Sequence, residues 1–194
     1  MTATILLVRH ARHADYGLRL SGRSDIPLTA KGMAESEALG ERLATRGLAL
    51  VQSSPVRRAQ ETARTIARHA RVELETYEGL NEIDFGRWSE RSFPALEAEP
   101  GWRAWNTVRA TARPPGGETQ REATARAVTH LEQQAVVHAG ATIACVTHCD
   151  VIRGVICHYL GLKFDNLLRF DIDAASISTL VIGPWGARVA GMNA

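Results

Sequence analysis

The stretch "ILLVRHARH", from Ile5 to His13, joins an apolar run to a cluster of basic side chains. Its first four residues are aliphatic, a pattern typical of a short strand that is buried in a parallel sheet. The run ends at Arg9 and His10, and Arg12 follows closely. Either these bases form an ordinary solvated strand end, or the strand directs an imidazole and a guanidinium towards a ligand.

Strand and helix patterns alternate along the rest of the chain, which favours an α/β fold. Besides the first strand, Thr4–Val8, strands are predicted at Leu48–Gln52, Val72–Leu74 and Ala141–Thr147, and near Leu168–Ile172, Ser176–Ile182 and Ala187–Ala190. Helices are predicted at Thr29–Arg46, from about Glu118 to His138, at Val151–Leu160, and after Ser54 as N-cap with Pro55 at the first helical position.

These elements predict a three-layer α/β/α sandwich with a mostly parallel central sheet. Residues 1–194 are expected to form a single domain. The irregular segment of about 89–113 predicts a short helical insert over the active site. Its tryptophans are expected to pack the insert onto the sheet.

The composition narrows the class of protein and its partners. The 23 Lys and Arg residues nearly balance the 21 Asp and Glu residues, which argues against nucleic acid as a partner. Three clustered cysteines do not make a secreted disulfide framework. No secretory leader or membrane span is recognisable, so we expect a cytoplasmic protein without a membrane partner. The oligomeric state stays open, with a homodimer as one option.

Basic side chains follow three of the predicted strands at their carboxyl ends, where ligands bind in open α/β sheets. The first strand is followed by His10, the second by Ser54 and then by Arg57 and Arg58, and the strand at 141–147 by His148. Each side chain alone fits an ordinary solvated or hydrogen-bonded position. Together, beside helix N-termini, they predict a pocket for a phosphate group.

Five segments, in this order along the chain, resemble the histidine phosphatase superfamily in its phosphoglycerate-mutase-like branch. The segments are "LVRHA" (Leu7–Ala11), "SSPVRRAQETA" (Ser53–Ala63), "LNEIDFGRW" (Leu80–Trp88), "PPGGET" (Pro114–Thr119) and "VTHCDVIR" (Val146–Arg153). The resemblance covers the chain from Leu6 to about Leu160.

The resemblance implies that His10 is the nucleophile and forms a phosphohistidine intermediate. It also implies that Arg9, Arg58 and His148 bind the phosphoryl oxygens. A neutral imidazole is a good nucleophile near neutral pH, and forked arginine contacts suit phosphate. Arg57 would then occupy the variable position and lie at the surface.

Glu82 stands at the position of the general acid in this family, and Asp84 is the second choice for that role. An alkoxide leaving group needs a proton, so a carboxyl group of raised pKa is required. Glu118 and Thr119 either border the active site, as the family pattern implies, or simply begin the long helix.

The chain departs from the usual family pattern at several positions. His13 and Tyr16 stand where many members carry a Thr and an Asn that touches phosphate. His13 is either a substitute donor or an exposed side chain. Cys149 and Asp150 replace small residues, and Asp150 is expected to cap the following helix. The candidate substrate contacts are His13, Arg23 and Cys149.

The short insert resembles those of the family's phosphatases, so we expect a phosphomonoesterase that acts on a small phosphate ester. No metal or organic cofactor is implied. Two alternatives remain, namely phosphoglycerate mutase-type transfer and a non-catalytic phosphate-binding relative. A further alternative is a zinc site, although the spacing of its candidate ligands fits no standard pattern. Those ligands are His138, Cys145, His148, Cys149, Cys157 and His158.

Overall fold

The computed structural model describes residues 1–194 and contains one six-stranded sheet in the order β3-β2-β4-β1-β5-β6. The strands pair in parallel from β3 to β1, while β5 and β6 are antiparallel, which confirms a mostly parallel sheet. The strands are β1 (Ala3–Arg9), β2 (Leu48–Ser53), β3 (Leu74–Thr76), β4 (Thr142–Thr147), β5 (Ile177–Gly183) and β6 (Gly186–Gly191).

Helices cover both faces of this sheet and confirm the three-layer α/β/α sandwich. The long helices are α1 (Ala30–Ala44), α2 (Arg57–Ala70), α5 (Gln120–Val137) and α6 (Cys149–Leu160). Successive side chains of a strand point to opposite faces. Leu6 and Val8 of β1 therefore join the core beneath α1 and α2, whereas Ile5 and Leu7 join the core beneath α5 and α6.

The insert forms two short helices, α3 (Phe93–Glu97) and α4 (Pro100–Thr107). The expectation that its tryptophans pack onto the sheet is wrong. They form a separate apolar cluster with the preceding loop, and Ala123 of α5 lies beneath it. The cluster comprises Ile83, Phe85, Trp88, Leu96, Trp102, Trp105 and Ala123. The insert thus has a small core of its own.

Two predicted helix caps are wrong. Helix α2 begins at Arg57, two residues after Pro55, and the extended residue Val56 precedes it. The Ser54 hydroxyl instead accepts a hydrogen bond from a histidine, described below. Helix α6 begins two residues earlier than predicted, so Asp150 lies in its first turn and His148 takes the cap position.

The predicted strand near Leu168–Ile172 is also wrong, because Phe164–Arg169 forms a 3₁₀ helix. Leu168, Phe170 and Ile172 alternate with polar residues in the sequence, but Leu168 is exposed, and Leu167 is the buried residue of the 3₁₀ helix. The short strand β3 begins at Leu74 rather than Val72. No helix of the structure combines the length and apolar character that crossing a bilayer requires.

Replacement of Trp105 by Ala is expected to lower the free energy of unfolding by about 3–5 kcal/mol, because a large buried ring is removed. Trp185, in the turn between β5 and β6, is the matched control, since it is 61% exposed whereas Trp105 is 1% exposed. Trp185→Ala is expected to change the free energy by less than about 0.5 kcal/mol. Urea unfolding followed by circular dichroism measures both, and equal losses would contradict the separate core.

Candidate active site

The register of β1 and β4 brings two histidines from distant parts of the sequence side by side. Arg9 pairs with Thr147 at the ends of these parallel strands, so His10 and His148 both follow the paired positions directly. The two imidazole centroids are 5.0 Å apart. Two histidines separated by 138 positions in the sequence therefore meet because neighbouring parallel strands end at the same edge.

A cavity of about 160 Å³ opens at this edge of the sheet. It brings together most of the predicted site residues, while His148 lies fully buried behind the wall. The predicted residues that line the cavity are Arg9, His10, His13, Arg58, Glu82 and Cys149. The remaining lining includes Asp15, Tyr16, Arg19, Phe85, Phe93 and Asp150.

The Arg58 guanidinium lies between the two histidines and is 1% exposed. Its Nε donates to His10 Nε2 at 3.1 Å, and one terminal nitrogen donates to His148 Nδ1 at 3.1 Å. The backbone carbonyls of Gly22 and Ser24 also accept from it, at 2.6 and 3.3 Å. Burial lowers the pKa of Arg58 to about 10, so the group stays charged at neutral pH.

The tautomer of His10 follows from its contacts. Its Nδ1 lies 2.8 Å from the Ala11 carbonyl oxygen, which only accepts, so Nδ1 carries the proton. The lone pair is then on Nε2, the nitrogen that accepts from Arg58. Burial, together with the charges of Arg58 and Arg9, holds the pKa of His10 well below its usual range. His10 is therefore a neutral imidazole with an available Nε2 lone pair.

His148 has the opposite tautomer. Its Nδ1 accepts from Arg58, so Nε2 carries the proton and donates to the Ser54 hydroxyl at 2.8 Å. Burial and the charge of Arg58 also hold the pKa of His148 well below its usual range. The Ser54 hydroxyl in turn lies 3.4 Å from the side-chain oxygen of Asn81. Sequence reasoning missed these roles of Ser54 and Asn81, because both positions also fit ordinary turn residues.

Arg9 reaches the cavity from the last position of β1. Its guanidinium donates to the Ile172 carbonyl at 2.5 Å and lies over the Tyr16 ring, 4.9 Å from the ring centroid. The Nε of Arg9 is buried and has no hydrogen-bond partner. A second guanidinium with a free donor thus faces the same space as Arg58.

Glu82 is 8% exposed and lies in the loop after β3. One carboxyl oxygen accepts from the Ile83 amide at 2.9 Å, and the other is 3.9 Å from His148 Nδ1. Burial and the charge of Asp150 raise the pKa of Glu82 to about 7, although the charge of Arg58 opposes this. Glu82 can therefore hold or release a proton near neutral pH.

The loop that carries Glu82 is tied down by charged side chains outside the cavity. Arg23 donates to the Glu82 carbonyl and to the Glu118 carboxylate, each at 2.9 Å, so it does not line the cavity. Arg126 makes the same pair of contacts. Asp84 also lies outside the cavity and accepts from the Gly86 amide. The structure thus places Arg23 and Asp84 beside the site rather than in it.

Glu118 and Thr119 both have structural roles. Thr119 caps α5, with reciprocal hydrogen bonds to Glu122, and Glu118 anchors the loop just described. Neither residue lines the cavity. Thr119 is therefore a helix start, whereas Glu118 supports the loop that carries Glu82 beside the cavity.

Cys149 and Asp150 form one wall of the cavity at the start of α6. Burial raises the pKa of the Cys149 thiol to about 11, so it is protonated at neutral pH. Asp150 pairs with Arg109 of the insert at 3.3 Å and with Arg153 at 3.5 Å. The Asp150 carboxylate is therefore already partnered by two cations.

The six candidate zinc ligands do not come together. The structure contains no group of three or more His, Cys, Asp or Glu side chains arranged to hold a metal ion. Cys145 is fully buried in β4, and His158 is exposed on α6. The zinc alternative therefore gains no support from the arrangement of these side chains.

The sequence profile described as "Histidine phosphatase superfamily (branch 1)" matches residues 5–194 of the chain. The chain belongs to this superfamily. A bifunctional protein of Mycobacterium tuberculosis is 32% identical over 177 residues, which cover 90% of this chain and 49% of that protein. The chain thus spans about half the length of the mycobacterial relatives that it matches.

Another curated relative and two solved structures match over most of their own length. The relative "Probable phosphoglycerate mutase GpmB" of Salmonella paratyphi B is 32% identical over 180 residues, covering 91% of this chain and 83% of that protein. A mycobacterial glucosyl-3-phosphoglycerate phosphatase solved with VO3 has a TM-score of 0.89 and 25% identity, covering 98% of this chain and 99% of that one. The alpha-ribazole phosphatase of Shigella flexneri has a TM-score of 0.87 and 25% identity, covering 98% and 96%.

Replacement of Arg58 by Gln is expected to weaken the binding of inorganic phosphate roughly 10- to 100-fold, the effect of losing a charge-assisted contact. Arg57→Gln is the matched control, because Arg57 is 48% exposed in its side chain and pairs with Glu61 on the surface. Isothermal titration calorimetry on variants that melt cooperatively measures both. Equal losses for the two variants would contradict the assignment of Arg58 to the phosphate pocket.

Proposed function

We propose that this protein is a metal-independent phosphomonoesterase that hydrolyses a small phosphorylated metabolite through a phosphohistidine on His10. The observation that carries the proposal is the His10 imidazole. It is neutral, its Nδ1–H is held by the Ala11 carbonyl, and its Nε2 lone pair is in a cavity between two arginines. A nucleophile in this state, surrounded by donors for anionic oxygens, suits phosphoryl transfer.

In the first step His10 Nε2 attacks the phosphorus, and the bond from phosphorus to the ester oxygen breaks. The guanidinium contact to Nε2 gives way, and Arg58 and Arg9 donate to the phosphoryl oxygens instead. These donors stabilise the charge that develops on those oxygens in the transition state. The Ala11 carbonyl stabilises the positive charge that His10 acquires when the P–N bond forms.

Glu82 supplies the proton that the leaving alkoxide requires. In the second step a water molecule attacks the phosphohistidine, the P–N bond breaks, and the Glu82 carboxylate takes the proton of that water. Its raised pKa of about 7 suits both directions of transfer. His148 lies 3.9 Å from Glu82 and shares Arg58 with His10, so it would hold the Arg58 guanidinium in position for the phosphoryl group.

The phosphatases among the similar structures support hydrolysis as the reaction class. One is named for glucosyl-3-phosphoglycerate and another for alpha-ribazole phosphate. Both names describe phosphate esters of small molecules, and we propose a substrate of that broad class for this chain. The proposed reaction uses no metal or organic cofactor, and no nucleic acid or membrane partner enters it.

Phosphoryl transfer between hydroxyl groups is the second candidate function, because one relative carries the name of a phosphoglycerate mutase. A mutase must keep water away from its phosphohistidine. Here the insert contributes only Phe93 to the lining of the cavity, and the other insert aromatics pack into their own cluster. This limited cover favours hydrolysis. A purely phosphate-binding role is less well supported, since binding alone needs no activated nucleophile.

Replacement of His10 by Ala is expected to abolish the hydrolysis of p-nitrophenyl phosphate, which the wild type carries out in the presence of EDTA. The good leaving group of this substrate reduces the need for Glu82, so the assay reports the nucleophile directly. The measurement is the release of p-nitrophenol. The control is His69→Ala, because His69 lies between α2 and Glu37 of α1 and does not line the cavity. Loss of wild-type turnover in EDTA would contradict the metal-free route. Transfer between the hydroxyls of phosphoglycerate that outran phosphate release would favour the mutase.

Replacement of Glu82 by Gln is expected to slow the hydrolysis of glycerol phosphate by roughly 10²- to 10⁴-fold and that of p-nitrophenyl phosphate much less. In the wild type, kcat/KM for glycerol phosphate should fall as the pH rises through about 7, because Glu82 then loses its proton. Steady-state rates over a pH series provide the test. Asp84→Asn is the matched control, and a larger loss in that variant would transfer the role to Asp84.

A further inference from the structure

His13 is a buried imidazole with a ring nitrogen that has no hydrogen-bond partner in the protein. It is 6% exposed, lines the cavity, and its ring centroid is 5.4 Å from that of His10. Its Nδ1 is buried and has no hydrogen-bond partner. Buried polar atoms nearly always have partners, so an unpaired nitrogen beside a ligand cavity indicates a partner that arrives with the ligand.

Burial and the charges around His13 explain why its imidazole is neutral in the unliganded protein, with one ring N–H and one lone pair. Burial is the largest cause, followed by the charges of Arg58 on α2 and Arg9 on β1, and together they lower the pKa of His13 to about 4. The Tyr16 ring packs edge-on against it at 6.2 Å. The other titratable groups that line the same cavity are His10, Asp15, Arg19, Glu82, Cys149 and Asp150.

A bound dianion opposes two of these three causes. Its two negative charges offset those of Arg58 and Arg9 and so raise the pKa of His13 in the complex, against the effect of burial. The anion also offers oxygen acceptors to a ring nitrogen that lacks one. Both effects favour the imidazolium form in the complex.

We propose that His13 is a further phosphate-binding residue, which takes up a proton as the anion binds and then donates a hydrogen bond to a phosphoryl oxygen. The proposal deepens the function proposed above and rests on it for the identity of the ligand as a phosphate ester. One N–H bond forms on His13, and the proton comes from solvent. Because proton uptake and anion binding are linked, the affinity for a dianion falls as the pH rises.

An imidazole at this position makes phosphate binding depend on pH in a way that an uncharged donor does not. A Thr or Asn donates to a phosphate in the same way at every pH, whereas both nitrogens of an imidazole donate, and the ring is positively charged, only when it is protonated. Release of the phosphate product should therefore become easier as the pH rises and His13 loses its proton.

Calorimetric titration with sulfate tests the proposal without any turnover. Sulfate stays a dianion across the range in which His13 is expected to titrate, so its own protonation does not contribute. Titrations in buffers of different ionisation enthalpy give the number of protons taken up per bound anion. The variants are His13→Asn and His13→Gln, which keep an amide donor near the two ring-nitrogen positions, and His158→Asn is the control on the exposed face of α6.

The wild type and His158→Asn are expected to take up more protons than the two His13 variants, by up to about one per sulfate. Their affinity should also fall more steeply with pH, by up to about tenfold per pH unit. Equal proton counts in the wild type and in every folded His13 variant would overturn the proposal. Circular dichroism melts establish which variants are folded, and one folded variant is sufficient.

The hydrolysis assay separates this inference from the proposed function. One outcome is sulfate binding with proton uptake that depends on His13, but no hydrolysis of any ester. That outcome would support the role of His13 and contradict the phosphatase function. The opposite outcome is ester hydrolysis in EDTA with equal proton counts in the wild type and the His13 variants. That outcome would contradict only the role of His13. Absence of any sulfate binding by the wild type would overturn both.

Discussion

The guanidinium of Arg58 is the contact on which the rest of the site depends. A buried charge is costly unless it is surrounded by hydrogen-bond partners, and Arg58 has two imidazole lone pairs and the carbonyls of Gly22 and Ser24. These partners lie directly after β1, further along the loop after β1, and at the N-cap of α6. One side chain therefore fixes the relative positions of three segments.

This contact also sets the chemistry of the two histidines. Because one guanidinium donates to both, each ring must present a lone pair to it, and each ring places its proton on the opposite nitrogen. The Ala11 carbonyl holds that proton on His10, and Ser54 holds it on His148. Two adjacent imidazoles thus take different tautomers, and each presents a different nitrogen to Arg58.

Two sets of contacts hold the residues around this centre, and both involve the loop that carries Glu82. The loop that carries Glu82 is fixed by Arg23, Arg126 and Glu118, which lie outside the cavity. The insert packs around Trp105 in a core separate from the two cores of the sheet. The loop that carries Glu82 is therefore held both by charged side chains and by the core of the insert, and the insert touches the cavity through Phe93.

The sequence by itself determined the alternation of strands and helices, the family, and the residues that follow the strand ends, because these depend on local patterns and on short motifs. Its errors were local as well. Ser54 and Asp150 fit the residue preferences of helix caps, but in the folded chain their side chains meet His148 and Arg109 instead. Only the tertiary structure decided the tautomers, the neutral state of His10 and the raised pKa of Glu82. Those properties depend on burial and on charges from segments far apart in the sequence, which meet only when β1, β2 and β4 pair in register.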